Sequence, residues 1–418
     1  MQAIRPSVPF VLLLLTAAST PASAYQVRKS TSGSPLRWPQ GAIPVELALD
    51  GAPEGVDADA AAVAAERAFE TFRQALTPME AGVDLDVQRS RGGSRVSTGD
   101  HLATVTWVAE GWDDDYDPEA LAVTVTSYDP ANGRIQDADI VINRDHRWNA
   151  GEGCESAYDL EGVLAHEVGH LFGLGHEPGD QEATMFPSAG VCEVKKRDLA
   201  ETDLEGLRFL YLESAPPPPL ACNAVPGGRG GAGAVLLVLG VLGFALRRRA
   251  VIVAATLLLV VTPAQATTVR SLGLEAAGKT AAVVARGTVR SVEVRRVGDR
   301  VYTDAQLGVL ECVKGRCGAS LVIRQLGGEL DGEGVVVAGN ADLVAGSEVV
   351  VMLRARRDGT FAPVGMAQGV FRVERDAAGT PRALVRDTRD LVLVGDGGEV
   401  RSGVERLRYE ELRKVGLN

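Results

Sequence analysis

Histidine is scarce in this sequence: five occur in 418 residues, and none follows His176. The second half of the chain therefore has no imidazole for metal or acid–base work. It also lacks the glycine loop that would cradle a phosphate, which leaves nucleotide chemistry without a site there. A basic surplus is missing too: 43 Lys and Arg face 55 Asp and Glu, a formal charge of -12. That balance excludes the basic face a nucleic-acid partner needs. Cysteines number only five, none before Cys154. Finally, the apolar runs at 234–246 and 250–261 are each short of the roughly 20 residues that span a bilayer.

What is present divides the chain. Arg5, an apolar stretch over 8–18 and Ala22-Ser23-Ala24 form a signal-peptide pattern, so 1–24 is expected to be removed and the rest exported. Outside the cytoplasm, cysteines read first as bridge partners. Residues 25–39 form a short N-terminal segment and 40–215 a first globular domain. A Pro run and a Gly-rich stretch make 216–233 a linker, since neither composition buries a core. The two apolar runs, around Arg247-Arg248-Arg249, fill 234–266. Three readings of that region stay open: a sorting tail, an internal signal peptide ending at Ala264-Gln265-Ala266, or a membrane hairpin through 234–262. All three leave both globular parts outside the cytoplasm, with the arginines on its face.

In the first domain the spacing of Val63, Ala64, Arg67, Ala68, Phe72 and Ala75 predicts a helix over 57–76. Strands are expected at 43–49, 83–88, 103–108, 121–127 and 138–143, and further helices at about 159–172 and 199–211. The region 267–418 reads as short β runs punctuated by Gly and Asp, an all-β domain of small-barrel or sandwich type.

The strongest pattern is His166-Glu167-Val-Gly-His170-Leu-Phe-Gly173-Leu-Gly-His176, which gathers three of the five histidines. Residues four apart share a helix face, so His166 and His170 can present two nitrogens to one ion. Glu167 projects beside that face as a general base. Gly173 can end the helix in the left-handed conformation and turn the chain so that His176 closes the site. Three imidazoles leave a fourth position open, the mark of a catalytic rather than a structural zinc. One catalytic Zn2+ is therefore expected. It would polarise a peptide carbonyl and acidify water, while Glu167 takes the proton and passes it to the leaving amine.

This extended motif resembles the metzincin clan of metalloproteases, and most closely the matrixins. Met185, in Ala183-Thr-Met-Phe-Pro187, matches the methionine the clan places under its metal. The segments 37–44 and 203–211 resemble the start and the final helix of a matrixin catalytic domain, so the likeness covers about 37–212. It implies an α+β fold, a twisted mixed sheet with three helices. It also implies an extended substrate adding to a sheet edge, with 121–127 the strand expected there. The loop 186–198 is expected to wall the pocket beyond the cut. With no cysteine before Cys154, latency through a propeptide thiol is not expected. With no histidine in 110–145, neither is a second zinc. Residues 222–249 resemble the C-terminal sorting tails of surface proteins described in myxobacteria.

Other features weigh less. Cys154 with Cys192 would bridge the start of the motif helix to the loop after Met185, and Cys312 with Cys317 would close a short loop. The acidic run 112–117 could offer oxygen ligands to Ca2+, but it lacks EF-hand spacing and reads first as a solvated loop. The sequence thus points to an exported zinc endopeptidase acting on protein or peptide substrates. Two rivals remain: a silent metalloprotease-fold binding or surface protein, and a zinc hydrolase of non-protein substrates. Neither the oligomeric state nor the role of 267–418 is readable.

Overall fold

The computed structural model describes residues 25–213 and 267–414, apart from 91–96, 98, 109–111, 119, 155, 178, 188, 271, 338, 377 and 395–399. The signal peptide, the linker and the apolar pair lie outside the described residues. Among those described, no helix is long and apolar enough to cross a membrane.

The first half runs β1 (Gly41–Ala48), α1 (Ala58–Leu76), β2 (Val83–Arg89), β3 (Ala103–Val108), α2 (Trp112–Asp115), β4 (Ala122–Tyr128), β5 (Ile135–Asn143), β6 (Trp148–Asn149), β7 (Tyr158–Asp159), α3 (Leu160–Leu171) and α4 (Glu201–Arg208). Its sheet has the order β2-β1-β3-β5-β4, parallel except for β4, which runs antiparallel to β5. Asp57 starts α1 by accepting from Ala60 N at 2.8 Å, which satisfies one of the orphan donors of a helix N-terminus. The buried face of α1 is mostly alanine, so the helix packs close to α3. There Phe72 stacks on Phe172 with ring centroids 5.4 Å apart. These helices cover one face of the sheet.

The second half contains β8 (Thr267–Arg270), α5 (Leu274–Thr280), β9 (Val283–Val297), β10 (Arg300–Lys314), β11 (Ser320–Leu326), β12 (Gly328–Leu330), β13 (Glu333–Val337), β14 (Glu348–Ala355), β15 (Phe361–Pro363), β16 (Val370–Arg375), β17 (Pro381–Val394) and β18 (Val400–Arg408). β15 pairs with both β11 and β14, so β11-β10-β9-β14-β15 closes into a five-strand ring. β16, β17 and β18 extend the sheet from β14. Cys312 and Cys317 are disulfide-bonded at the end of β10.

Two expectations need correction. The strand taken as the sheet edge, β4, is covered: β13 pairs antiparallel with it, placing Val337 opposite Val125 and Gly334 opposite Tyr128. The hairpin β12-β13 thus leaves the second half to complete the sheet of the first. The acidic run 112–117 is neither a solvated loop nor matched to calcium. Trp112 and Tyr116 are buried in a core shared with the second half, and the Asp115 carboxylate accepts from Arg300 and from Arg356, the latter at 2.9 Å. Two guanidinium groups supply the counter-charge a cation would otherwise provide.

In β5, Asp137 and Asp139 are buried beside Asp100 and accept from Gly99 N and Thr104 N. Burial, with the neighbouring carboxylates adding to it, holds both carboxyls well above the usual range. A raised folded pKa means that the folded state holds more protons than the unfolded one. The stability these groups contribute is complete below the ordinary carboxylate pKa, about 4, and is lost as pH rises through the raised values. Asp139→Asn keeps an acceptor for Thr104 and removes one charge. It is expected to raise the thermal midpoint at mildly alkaline pH and to change it little at about pH 5, as scanning calorimetry across that range would show.

Candidate metal centre

The centre is built on α3. Asp159 caps its N-terminus by accepting from Gly162 N at 2.9 Å and is ion-paired with Arg197. His166 and His170, one turn apart, face the same side, and the chain must then reverse to bring a third imidazole round. It does so at Gly173, whose φ of +91° is left-handed. A Cβ there would also stand 2.1 Å from the Leu36 carbonyl oxygen, so only glycine makes this turn without strain. His176 follows, and the Nε2 atoms of His166 and His170 lie 2.7 and 2.9 Å from its Nε2.

His166 Nδ1 lies 2.7 Å from Thr184 O, and His170 Nδ1 lies 2.9 Å from Leu174 O. A carbonyl only accepts, so both Nδ1 atoms carry the proton and both Nε2 atoms point lone pairs inward. Burial pushes all three imidazoles well below their usual pKa, which keeps them neutral. Three converging Nε2 atoms, with the His166 and His170 rings oriented by backbone carbonyls, form the donor set that a zinc ion takes from protein. Among the described residues this is the one cluster of His, Cys, Asp or Glu with such convergence. His101 is exposed and His146 packs edge-on against Tyr158; neither joins it.

Glu167 follows His166 on α3. Thr124 Oγ1, from β4, is 2.5 Å from Glu167 Oε2 and 3.1 Å from its backbone oxygen. Burial pushes the Glu167 carboxyl up to about 7, against the opposing pull of the Thr124 hydroxyl and the Arg28 guanidinium. Below the helix, Met185 is buried with its sulfur against Gly169, where a Cβ would stand 2.1 Å from it. Asp203 of α4 holds the Met185 turn by accepting from Thr184 N at 2.8 Å and Met185 N at 3.1 Å. A disulfide joins Cys154 to Cys192, tying the approach to α3 to the loop after Met185.

Sequence reasoning passed over Arg28, Thr124, Lys196 and Asp203. Lys196 sits in the loop expected to wall a pocket, yet it turns inward. Burial lowers its pKa to about 7, and its Nζ donates to Phe186 O and, at 3.0 Å, to Thr184 O, the carbonyl that orients His166. It stands between Lys195 and Arg197, and nothing in the sequence sets it apart from them. Arg28 is 1 % exposed and donates to Thr126 Oγ1 at 3.1 Å.

The profile of the matrixin family matches residues 55–212. Metalloendoproteinase 1 of Glycine max is 50% identical over 56 residues, 13% of this chain and 18% of that protein. Metalloendoproteinase 2-MMP of Arabidopsis thaliana is 32% identical over 97 residues, 22% of this chain and 24% of that protein. Matrix metalloproteinase-18 of Xenopus laevis is 33% identical over 91 residues, 22% of this chain and 18% of that protein. The matched stretches thus span less than a quarter of these relatives' lengths.

Gly173→Ala should lower unfolding stability by at least about 1–2 kcal/mol through the left-handed backbone alone. It should also reduce bound zinc below one equivalent, because displacing the turn displaces His176. Gly51→Ala, where an added Cβ meets nothing within 4 Å, is the control. Denaturant titration and metal analysis of both variants would check this.

Proposed function

Because residues 55–212 are a matrixin-like metzincin catalytic domain, we propose that this chain is a zinc-dependent endopeptidase cutting exported or envelope proteins. His166, His170 and His176 hold one zinc, and Glu167 is the general base. The observation that carries the reading is the convergence of three neutral imidazole nitrogens beside a carboxylate that is pinned from the opposite strand. A closed structural site would be completed by a fourth protein ligand, commonly a thiolate; the cysteines at 154 and 192 are committed to each other.

Bound zinc would supply Lewis acidity, both for a substrate carbonyl and for acidifying a water molecule. The chain's own residues do the rest. Thr124 donates to Oε2 of Glu167 and fixes the plane of the carboxylate, so Oε1 takes the proton and returns it to the departing amine. Thr184 O and Leu174 O hold the Nδ1 protons of His166 and His170, which keeps the Nε2 atoms available. The catalytic domain is taken as 40–215 and the β-rich part, 267–418, as a covalently attached partner of it. Export of both parts follows from the N-terminal pattern of small and apolar residues.

Glu167→Gln keeps an acceptor for Thr124 and removes the base. It is expected to retain one zinc while peptide hydrolysis falls roughly 10²–10⁴-fold. Zinc analysis and quenched-peptide cleavage, with chelator as control, provide the check. Near-normal turnover in that variant would remove Glu167 from the mechanism. Zinc binding with no cleavage of any peptide pool would favour the silent-fold or non-peptide reading.

A further inference from the structure

An endopeptidase must admit an extended chain past its base, and here the candidate base and the imidazoles are buried. His166 and Glu167 are each 6 % exposed and His176 1 %. Two segments pair with the backbone next to them. From one side comes the N-terminal segment: Val27 bridges Leu174, Arg28 N donates to Gly173 O and Gly175 N to Gln26 O, both at 2.8 Å. Arg28 then extends to Thr126. From the other side comes the hairpin β12-β13. Its inner strand begins its pairing at Val125, the residue after the Thr124 that holds Glu167, and continues to Tyr128.

That backbone edge is where an extended peptide would dock, because a strand beside the base offers main-chain donors and acceptors in a row. Val336 stands opposite Thr126, on the face of the sheet that carries Thr124 and α3. The two segments are joined at one carboxylate. Glu329 Oε1 accepts from Thr31 Oγ1 at 2.6 Å and from Tyr128 OH at 3.1 Å. Gly334 makes the fit possible, since a Cβ there would lie 2.5 Å from the Tyr128 ring.

We propose that the hairpin Gly328–Val337 is an intramolecular occupant of the substrate edge of β4 and, tied through Glu329 to the N-terminal segment, holds the peptidase latent. This rests on the peptidase reading of the same centre. The inhibition is non-covalent and needs no metal-binding thiol. It is relieved when the hairpin is withdrawn from β4, and the strand it vacates is the one a substrate then uses.

The test uses the zinc-loaded full chain, a double variant Glu329→Ala with Gly334→Val, and a chain whose residues 328–337 are replaced by a short Gly-Ser turn. Hydrogen exchange of 125–128 reads the pairing, and exchange of α3 in the same experiment reports that the fold is kept. Binding of a peptidyl hydroxamate, an extended peptide with a zinc-chelating end, reads access without turnover. Faster exchange at 125–128 with α3 still protected is expected, together with at least a tenfold gain in hydroxamate affinity and in peptide hydrolysis. No gain in affinity for the chain lacking the hairpin would overturn the proposal. Tighter hydroxamate binding without cleavage of any peptide would uphold the hairpin as the occupant of the β4 edge and remove the endopeptidase reading, and latency with it.

Discussion

Three buried imidazoles turn their Nε2 atoms into one space, an arrangement that a cation between them would stabilise, and much of the first half holds it in place. The backbone carbonyls of Thr184 and Leu174 fix the outer nitrogens of His166 and His170. Those carbonyls are placed in turn by the Lys196 ammonium and the Asp203 carboxylate around the Met185 turn, and by the reversal at Gly173. The affinity for metal is stored as this arrangement. Disturbing a residue two contacts away from the ion therefore acts on the ion.

A single strand, β4, serves three roles. Thr124 holds the Glu167 carboxyl, Thr126 receives Arg28, and the backbone edge receives the hairpin from the second half. Its side chains alternate accordingly. The two threonines face α3, while Val123 and Val125 face the core of the second half. The candidate site and its cover are thus coupled through one element, and the geometry of Glu167 depends on a strand whose outer neighbour comes from more than 200 residues away.

The parts of this arrangement that depend on local spacing were legible in the sequence. The i, i+4 pair of histidines, the turn at Gly173 and the helix over 58–76 are set by periodicity and backbone preference. The strand 103–108 was read to the residue. What was hidden is tertiary. Arg28, Thr124 and Lys196 are ordinary residues until the fold brings them to Glu167 and His166. The edge strand looked like an edge because its cover is remote in sequence. In the second half, Gly287 falls between two expected β runs, yet it lies inside one long strand, where a Cβ would stand 2.5 Å from Gly308 O of the neighbouring strand. The strands 381–394 and 400–408 escaped notice because frequent charged residues break up their apolar pattern.

The shared core beneath α2 bears on how the two halves can exist. Trp112, Tyr116, Val123, Val125 and Val141 are buried against residues of the second half, and Asp115 is held by its arginines. A fragment ending near Glu213 would keep every group of the metal centre but present a bare apolar face beside an uncompensated carboxylate. Solubility, before chemistry, is what such a truncation would put at risk. The β-rich half therefore acts as a folding partner as much as a cover, and the two halves are best regarded as one unit of stability.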